Sequence, residues 1–205
     1  MPEILRQLLD LHALEIVATA SLAFYVILAA RENPWCWPAS IVGVVCYIIV
    51  MYQSRLYLEV GLNGYYLVIS FIGFFYWLRG GKGQTPLRIS RTRMRKWIIL
   101  AVIAGAGTVV LALIIGNFPD LDWLPRTDVP WWDSVTTVLS LIATWMLVTK
   151  RIENWLVWIV TDSLYVPLMH YKGLYFLEAL YGFYLVVCIF GWMTWRKHLK
   201  RQSNA

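Results

Sequence analysis

The chain has 205 residues, 60% of them hydrophobic and 16% aromatic, with eighteen Lys and Arg against twelve Asp and Glu for a net charge of +6. Ordinary soluble domains carry about 45–50% apolar residues, so this composition and a mean hydropathy of +0.59 exclude a soluble globular fold. The charges collect between apolar runs long enough to cross a bilayer core of about 30 Å, which defines an all-α integral membrane protein and accounts for the basic balance without a nucleic-acid partner.

Apolar windows predict seven transmembrane helices at about 12–30, 36–53, 57–78, 97–117, 132–149, 154–170 and 173–195. Met1 to Leu11 has neither the basic start nor the small-residue cleavage site of a signal peptide, so the first apolar run is expected to be retained, behind a short amphipathic lead-in. Arg31 to Pro34 and Ser54-Arg55 read as turns, and Arg79 to Lys96 as a basic, Gly-rich loop. Gly116 to Pro130, with Pro119, Pro125 and Pro130, reads as an irregular connection. Pro38 suits a first helical turn, and Pro167 should kink the sixth helix.

Lys and Arg divide fourteen to four between the two sides. One side holds Arg31, the basic cluster between Arg79 and Lys96, Lys150, Arg151 and the C-terminal tail. The other has Arg6, Arg55, Arg126 and Lys172, with Asp120, Asp122, Asp128 and Asp133. The positive-inside rule then places the N-terminus outside and the C-terminus in the cytoplasm. The basic clusters also offer contacts to anionic lipid.

Sliding the chain on itself by 118 residues pairs Trp37 with Trp155, Tyr47 with Tyr165, Gly64 with Gly182, Tyr66 with Tyr184, Gly73 with Gly191 and Trp77 with Trp195. Coincidence among apolar helices produces Leu and Val matches, not this set of Trp, Tyr and Gly. The expected architecture is one transmembrane domain over 1–205, built as a 3+1+3 parallel repeat. Repeat one covers about 12–78, a linker helix about 97–117 and repeat two about 132–195. In parallel-repeat transporters the substrate lies between the repeats near the midplane.

The sixth helix carries the chemistry. Trp155, Trp158, Asp162 and Tyr165 recur in steps of three, four and three, which puts them on one helical face. Asp162 lies about 15 Å from the helix start at 1.5 Å per residue, near the bilayer centre, where an ionisable group faces a cavity, partner or pathway. Indoles and a phenol beside a carboxylate suit a flat cationic ring through stacking, cation–π attraction and counter-charge; an interfacial tryptophan pair with a structurally satisfied aspartate is the plainer reading. The repeat equivalent of Asp162 is Val44, so the halves differ chemically. Asn63, Tyr65, Tyr66 and Ser70 on helix 3, and Glu178, Tyr181 and Tyr184 on helix 7, add polar groups inside the spans. Asn63 and Gln53 suit a ligand hydroxyl or an interhelical bond. Glu178 lies about 8 Å from the outer boundary, and Glu59 at that boundary reads as a solvated end.

Cys36, Cys46 and Cys188 have no metal spacing and read as packing residues. His12, His170 and His198 lie far apart along the chain, and Walker, Gly-x-Ser-x-Gly and Cys-x-x-Cys motifs are missing. No metal or cofactor is expected. A retinal protein is excluded because no lysine stands between Leu174 and Trp195.

Trp132-Asp133-Ser134, the run Thr149-Lys150-Arg151-Ile152-Glu153-Asn154-Trp155-Leu156-Val157-Trp158, the turn Lys172-Gly173-Leu174-Tyr175 and the ending Gly191-Trp192-Met193-Thr194-Trp195 resemble the PnuC family of bacterial vitamin transporters over nearly the whole chain. The resemblance implies a non-enzymatic inner-membrane carrier for nicotinamide riboside, working by facilitated diffusion, with a cytoplasmic kinase trapping the vitamin. It also implies that Asn154, Trp155 and Trp158 belong to the substrate region. Together with the helical pattern, the expected substrate-binding set is Asn63, Tyr66, Asn154, Trp155, Trp158, Asp162, Tyr165, Glu178 and Tyr181. Asp162 stands where some family members have Asn, and Phe74 where a Trp would complete a Gly-Trp-x-x-Trp pattern. Thiamine therefore remains an alternative cargo, with riboflavin, which is uncharged, fitting the carboxylate less well. The expected partners are a small vitamin and the lipid bilayer, and a homo-oligomer is compatible with the pattern. Readings of other classes are an intramembrane enzyme using Asp162 with Glu178, and a non-transporting binding protein.

Overall fold

The computed structural model describes residues 2–53, 57–80, 87–117, 127–173 and 175–204, with the side chains of 2–11, 57–59, 176 and 203–204 outside that description. Seven α-helices follow one another: α1 (Pro2–Ala30), α2 (Cys36–Gln53), α3 (Tyr57–Arg79), α4 (Met94–Asn117), α5 (Pro130–Val148), α6 (Asn154–Tyr171) and α7 (Tyr175–Asn204). A helix satisfies its own backbone groups, which is what a span in hydrocarbon requires. Among the described residues six segments are long and apolar enough to cross a membrane: His12–Ala30, Cys36–Gln53, Val60–Arg79, Met94–Asn117, Pro130–Val148 and Leu177–Gln202. α6 falls outside that group in composition because it carries Asn154, Thr161, Asp162 and His170. It packs between α5 and α7, which buries Asn154, Thr161 and Asp162 and leaves His170 exposed near its end.

Three predicted boundaries shift by three residues or more. α1 runs unbroken from Pro2 and α7 continues through the basic tail to Asn204, because neither stretch contains an interior helix breaker. α4 begins at Met94, three residues early. The predicted turn at Ser54-Arg55, and Pro119 and Pro125 of the predicted connection, lie outside the described residues, as does the Glu59 side chain.

Neighbour relations close a ring. α1 packs on α2, α2 on α3, α3 on α5, α5 on α6, α6 on α7, and α7 back on α1, while α4 stands outside against α5. α1 and α5 end in the same way. Asn33 N–H donates to Leu28 O at 3.0 Å, and Arg151 N–H to Met146 O at 2.8 Å. These are six-to-one closures over a left-handed residue, the usual helix stop, normally built on glycine. Here the left-handed residues are Glu32 (φ 57°) and Lys150 (φ 47°), which costs each about 1–2 kcal/mol.

The core at this basic end is aromatic. Trp37 meets Trp77 edge-on at 5.6 Å and 90°, and Trp155 meets Trp195 at 5.6 Å and 86°. Trp77 and Trp195 lie 6.0 Å apart. The Trp77 indole donates to Val148 O and the Trp195 indole to Ala29 O, both at 3.1 Å, so each bolts α3 to α5 or α7 to α1. Gly73 and Gly191 permit the close approach: a Cβ there would come within 2.4 Å of the Trp37 ring and 2.6 Å of the Trp155 ring.

Gly64 and Gly182, nine residues earlier and therefore on the opposite faces of α3 and α7, differ: a Cβ at either would meet nothing within 4 Å. Gly73→Ala and Gly191→Ala are therefore expected to lower stability by about 1–3 kcal/mol through overpacking. Gly64→Ala and Gly182→Ala should be neutral or raise it by up to about 1 kcal/mol through helix propensity. Thermal unfolding of the purified protein in detergent distinguishes the two pairs.

Candidate functional site

Asp162 is the buried carboxylate of the ring interior, only 2% exposed. Its Oδ2 accepts a hydrogen bond from Cys188 of α7 at 3.6 Å. Among the described residues no Lys, Arg or His pairs with it. A carboxylate at such depth is costly to hold as an anion without a partner, which makes Asp162 a candidate contact for a ligand or ion.

Tyrosines surround it. Tyr165, one helical turn along α6, lies ring to ring with Tyr181 of α7 at 4.3 Å and 11°. Tyr184 meets Tyr181 edge-on at 6.0 Å. Tyr181 is within electrostatic reach of Asp162, Tyr184 and Tyr66, and Tyr184 of Tyr47 and Asp162. From α1, Tyr25 reaches Tyr66, Tyr184 and Cys188. The cluster thus draws on α1, α2, α3, α6 and α7. Phenol rings supply apolar stacking faces together with hydroxyls, the combination a polar heteroaromatic ligand needs. Because Tyr165 and Tyr181 already cover one face of each other, a ligand ring must take an outer face or separate the pair.

The predicted residues divide. Asp162, Tyr165, Tyr181 and Tyr66 come together. Asn63, one turn before Tyr66 on α3, makes contacts of its own. Trp158 is half-buried, packed between the tryptophan core and a smaller cluster of Ala143, Met146 and Val157. Trp155, on the predicted face, is 1% exposed and lies in the tryptophan core against Gly191. Asn154 caps the turn before α6, its Nδ2 donating to Arg151 O at 2.6 Å, while its buried Oδ1 has no protein partner. The Trp37 and Trp155 indole N–H groups, a 118-residue pair, are likewise unpartnered. Glu178 sits at the end opposite the tryptophan core, paired with His170 Nδ1 at 3.1 Å.

Tyr25 and Cys188 join the site without having been singled out. Each looks in sequence like ordinary helix filling, although Cys188 is the 118-residue partner of Ser70, which bonds Ser40 at 2.8 Å.

At the end opposite the tryptophan core Lys172 Nζ donates to Asp133 at 3.3 Å and the Trp132 indole to Leu164 O at 3.0 Å. The second bond ties α5 to α6 three residues before Pro167. At the basic end Thr92 donates from its backbone N–H and hydroxyl to Glu153 Oε2 at 3.0 and 2.9 Å.

The fold is that of a polytopic helical membrane protein, with tyrosines gathered around one buried carboxylate. Residues 12–197 match the family described as nicotinamide mononucleotide transporter, and the chain belongs to that family. It is 26% identical over 182 residues to the riboflavin/roseoflavin transporter RibM of Streptomyces davaonensis, covering 86% of this chain and 81% of that one. It is 29% identical over 178 residues to the nicotinamide riboside transporter PnuC of Neisseria mucosa, covering 80% of this chain and 64% of that one. With PnuC of Escherichia coli identity is 24% over 214 residues, 95% of this chain and 90% of that one. The crystal structure of a vitamin B3 transporter PnuC superposes with a TM-score of 0.71 over 92% of this chain and 82% of that one, at 24% identity; that likeness is one of fold.

Burial separates two kinds of site residue. Trp155→Ala is expected to cost about 3–5 kcal/mol of stability as a large buried truncation, whereas Asp162→Asn, which keeps the shape, should change it by less than about 2 kcal/mol. Thermal unfolding in the absence of ligand measures both.

Proposed function

We propose that the protein is an uptake carrier of the bacterial inner membrane that moves nicotinamide riboside by facilitated diffusion, the vitamin being trapped inside the cell by phosphorylation. The observation that carries this reading is Asp162: a buried carboxylate with no protein cation beside it, ringed by tyrosines, matches a cationic nicotinamide ring in charge and shape. Relatives named nicotinamide riboside transporters support the cargo. In this reading Tyr165 and Tyr181 stack on the ring, Asp162 balances its charge, and Asn63 and Tyr66 bind ribose hydroxyls. Glu178 bonds the ligand only after leaving His170. Asn154 and Trp155 shape the site from behind, and Trp158 forms its wall. The protein moves its cargo without catalysing a reaction on it.

The architecture in this proposal is the 3+1+3 repeat of 12–78, 97–117 and 132–195, with N-terminus outside and C-terminus inside. Support comes from contacts that recur at 118-residue spacing: Trp37 with Trp77 and Trp155 with Trp195, Gly73 under Trp37 and Gly191 under Trp155.

Riboflavin is the second reading, because RibM aligns over 86% of this chain; thiamine, also cationic, is the third. Uptake of labelled nicotinamide riboside, thiamine and riboflavin into proteoliposomes without an ion gradient tests them together. Saturable entry of nicotinamide riboside that stops at equal concentrations is expected, and exclusive entry of riboflavin or thiamine would reassign the cargo. Asp162→Ala should abolish uptake of the cationic vitamin while inserting normally; undiminished flux through that variant would remove Asp162 from the site.

A further inference from the structure

Glu32 and Lys150 are 118 residues apart. Both hold left-handed backbones at φ 57° and 47°, and they meet each other, Lys150 Nζ lying 3.5 Å from Glu32 Oε2. Both side chains are largely buried, at 11% and 15% exposure. His198 of α7 bonds the other oxygen of Glu32. Lys150 Nζ also stands 4.5 Å from the centre of the Trp77 ring. One cluster therefore joins the α1–α2 turn, the α5–α6 turn, α3 and α7, across the junction between helices α1–α3 and helices α5–α7.

We propose that Glu32, Lys150 and His198 form a gate that closes the cytoplasmic end of the ring, and that this conformation is shut there. The proposal rests on the transporter reading and on its orientation. Two observations converge on it. The two left-handed backbones coincide with the two residues that reach across the junction, and backbone held in a sparsely populated region motivates a functional reading. The tryptophan bolts on Val148 and Ala29 lie at the same end, so both junctions of the ring are closed at one level.

An ion pair suits a gate better than an apolar seam does. Its two charges find water when the end opens, so parting them does not expose a hydrophobic face. The cation over an indole adds attraction only while Trp77 remains in place.

Cys36 supplies the reporter. It is fully buried at the start of α2, within electrostatic reach of Lys150 and Tyr25. Inside-out vesicles carrying the full chain are treated with a membrane-impermeant maleimide in the absence of vitamin, and labelling of Cys36 is followed by peptide mass spectrometry.

Slow labelling is expected for the unaltered protein. Glu32→Gln and Lys150→Met should each label about tenfold faster, the change ~1.4 kcal/mol of lost closure produces. The exchange of Glu32→Lys with Lys150→Glu should return the rate toward the slow value. His198→Ala, which leaves the Glu32–Lys150 pair in place, should accelerate labelling less, and it carries the test if a charge variant fails to insert. Equal rates in unaltered and altered protein, or acceleration seen only in right-side-out vesicles, would overturn the gate. No vitamin takes part, so a wrong cargo leaves this result standing, and a failed gate leaves the uptake assay untouched.

Discussion

The structure depends on how close two tryptophans can come to two helices. Trp37 and Trp155 are buried at 0% and 1% exposure, each lying on a glycine of the following helix, where a methyl group would already overlap the ring. That contact draws α2 onto α3 and α6 onto α7 at the basic end. There the partner indoles Trp77 and Trp195 fill the junction and spend their N–H groups on carbonyls of α5 and α1. Close-packed interiors transmit such constraints along rigid helices. The tryptophan core borders the tyrosine cluster around Asp162 through Tyr25, whose ring lies 5.9 Å from that of Trp37, and through Cys188.

Pairs 118 residues apart are alike where they pack and different where they surround the cavity. Trp, Gly and the helix-stop geometry recur. Val44, buried among apolar neighbours, stands opposite Asp162; Ser70, bonded to Ser40, opposite Cys188; and Asn63 opposite Tyr181. A packing motif tolerates duplication because both copies solve the same volume problem. A binding site for one small, asymmetric molecule does not, since only one carboxylate is needed and a second would be an unpaired charge in hydrocarbon.

Much of this was legible in the sequence, and the limits have physical causes. Apolar length marks each of the seven helices, and Asp162 stands out because hydrocarbon makes carboxylates rare. Helical periodicity puts Trp155 and Asp162 on one face, yet that face borders two environments. Near its start α6 meets Gly191, a hole that takes an indole, and farther along it meets tyrosines. Periodicity reports direction from the axis, not what lies across it. Glu178 was legible as a polar group in an apolar run, but its bond to His170 crosses the turn between α6 and α7. Glu32 escaped notice because a turn carboxylate is unremarkable until its left-handed backbone and its partner 118 residues away are known.

The fourth helix takes a definite side. Ser90 N–H donates to Lys150 O at 3.0 Å, and Ile152 N–H returns a bond to Ser90 O at 3.1 Å. Arg151 Nη1 reaches Arg91 O at 3.0 Å, and Ile89 is buried in the tryptophan core. The segment before α4 is therefore laced to the α5–α6 turn, and α4 itself packs on α5. A linker tied this way is not a neutral hinge. Any displacement of α5–α7 against α1–α3 would carry α4 with it. Motion would then divide the chain as three helices against four, with Lys150 on the larger body reaching across to Glu32 on the smaller.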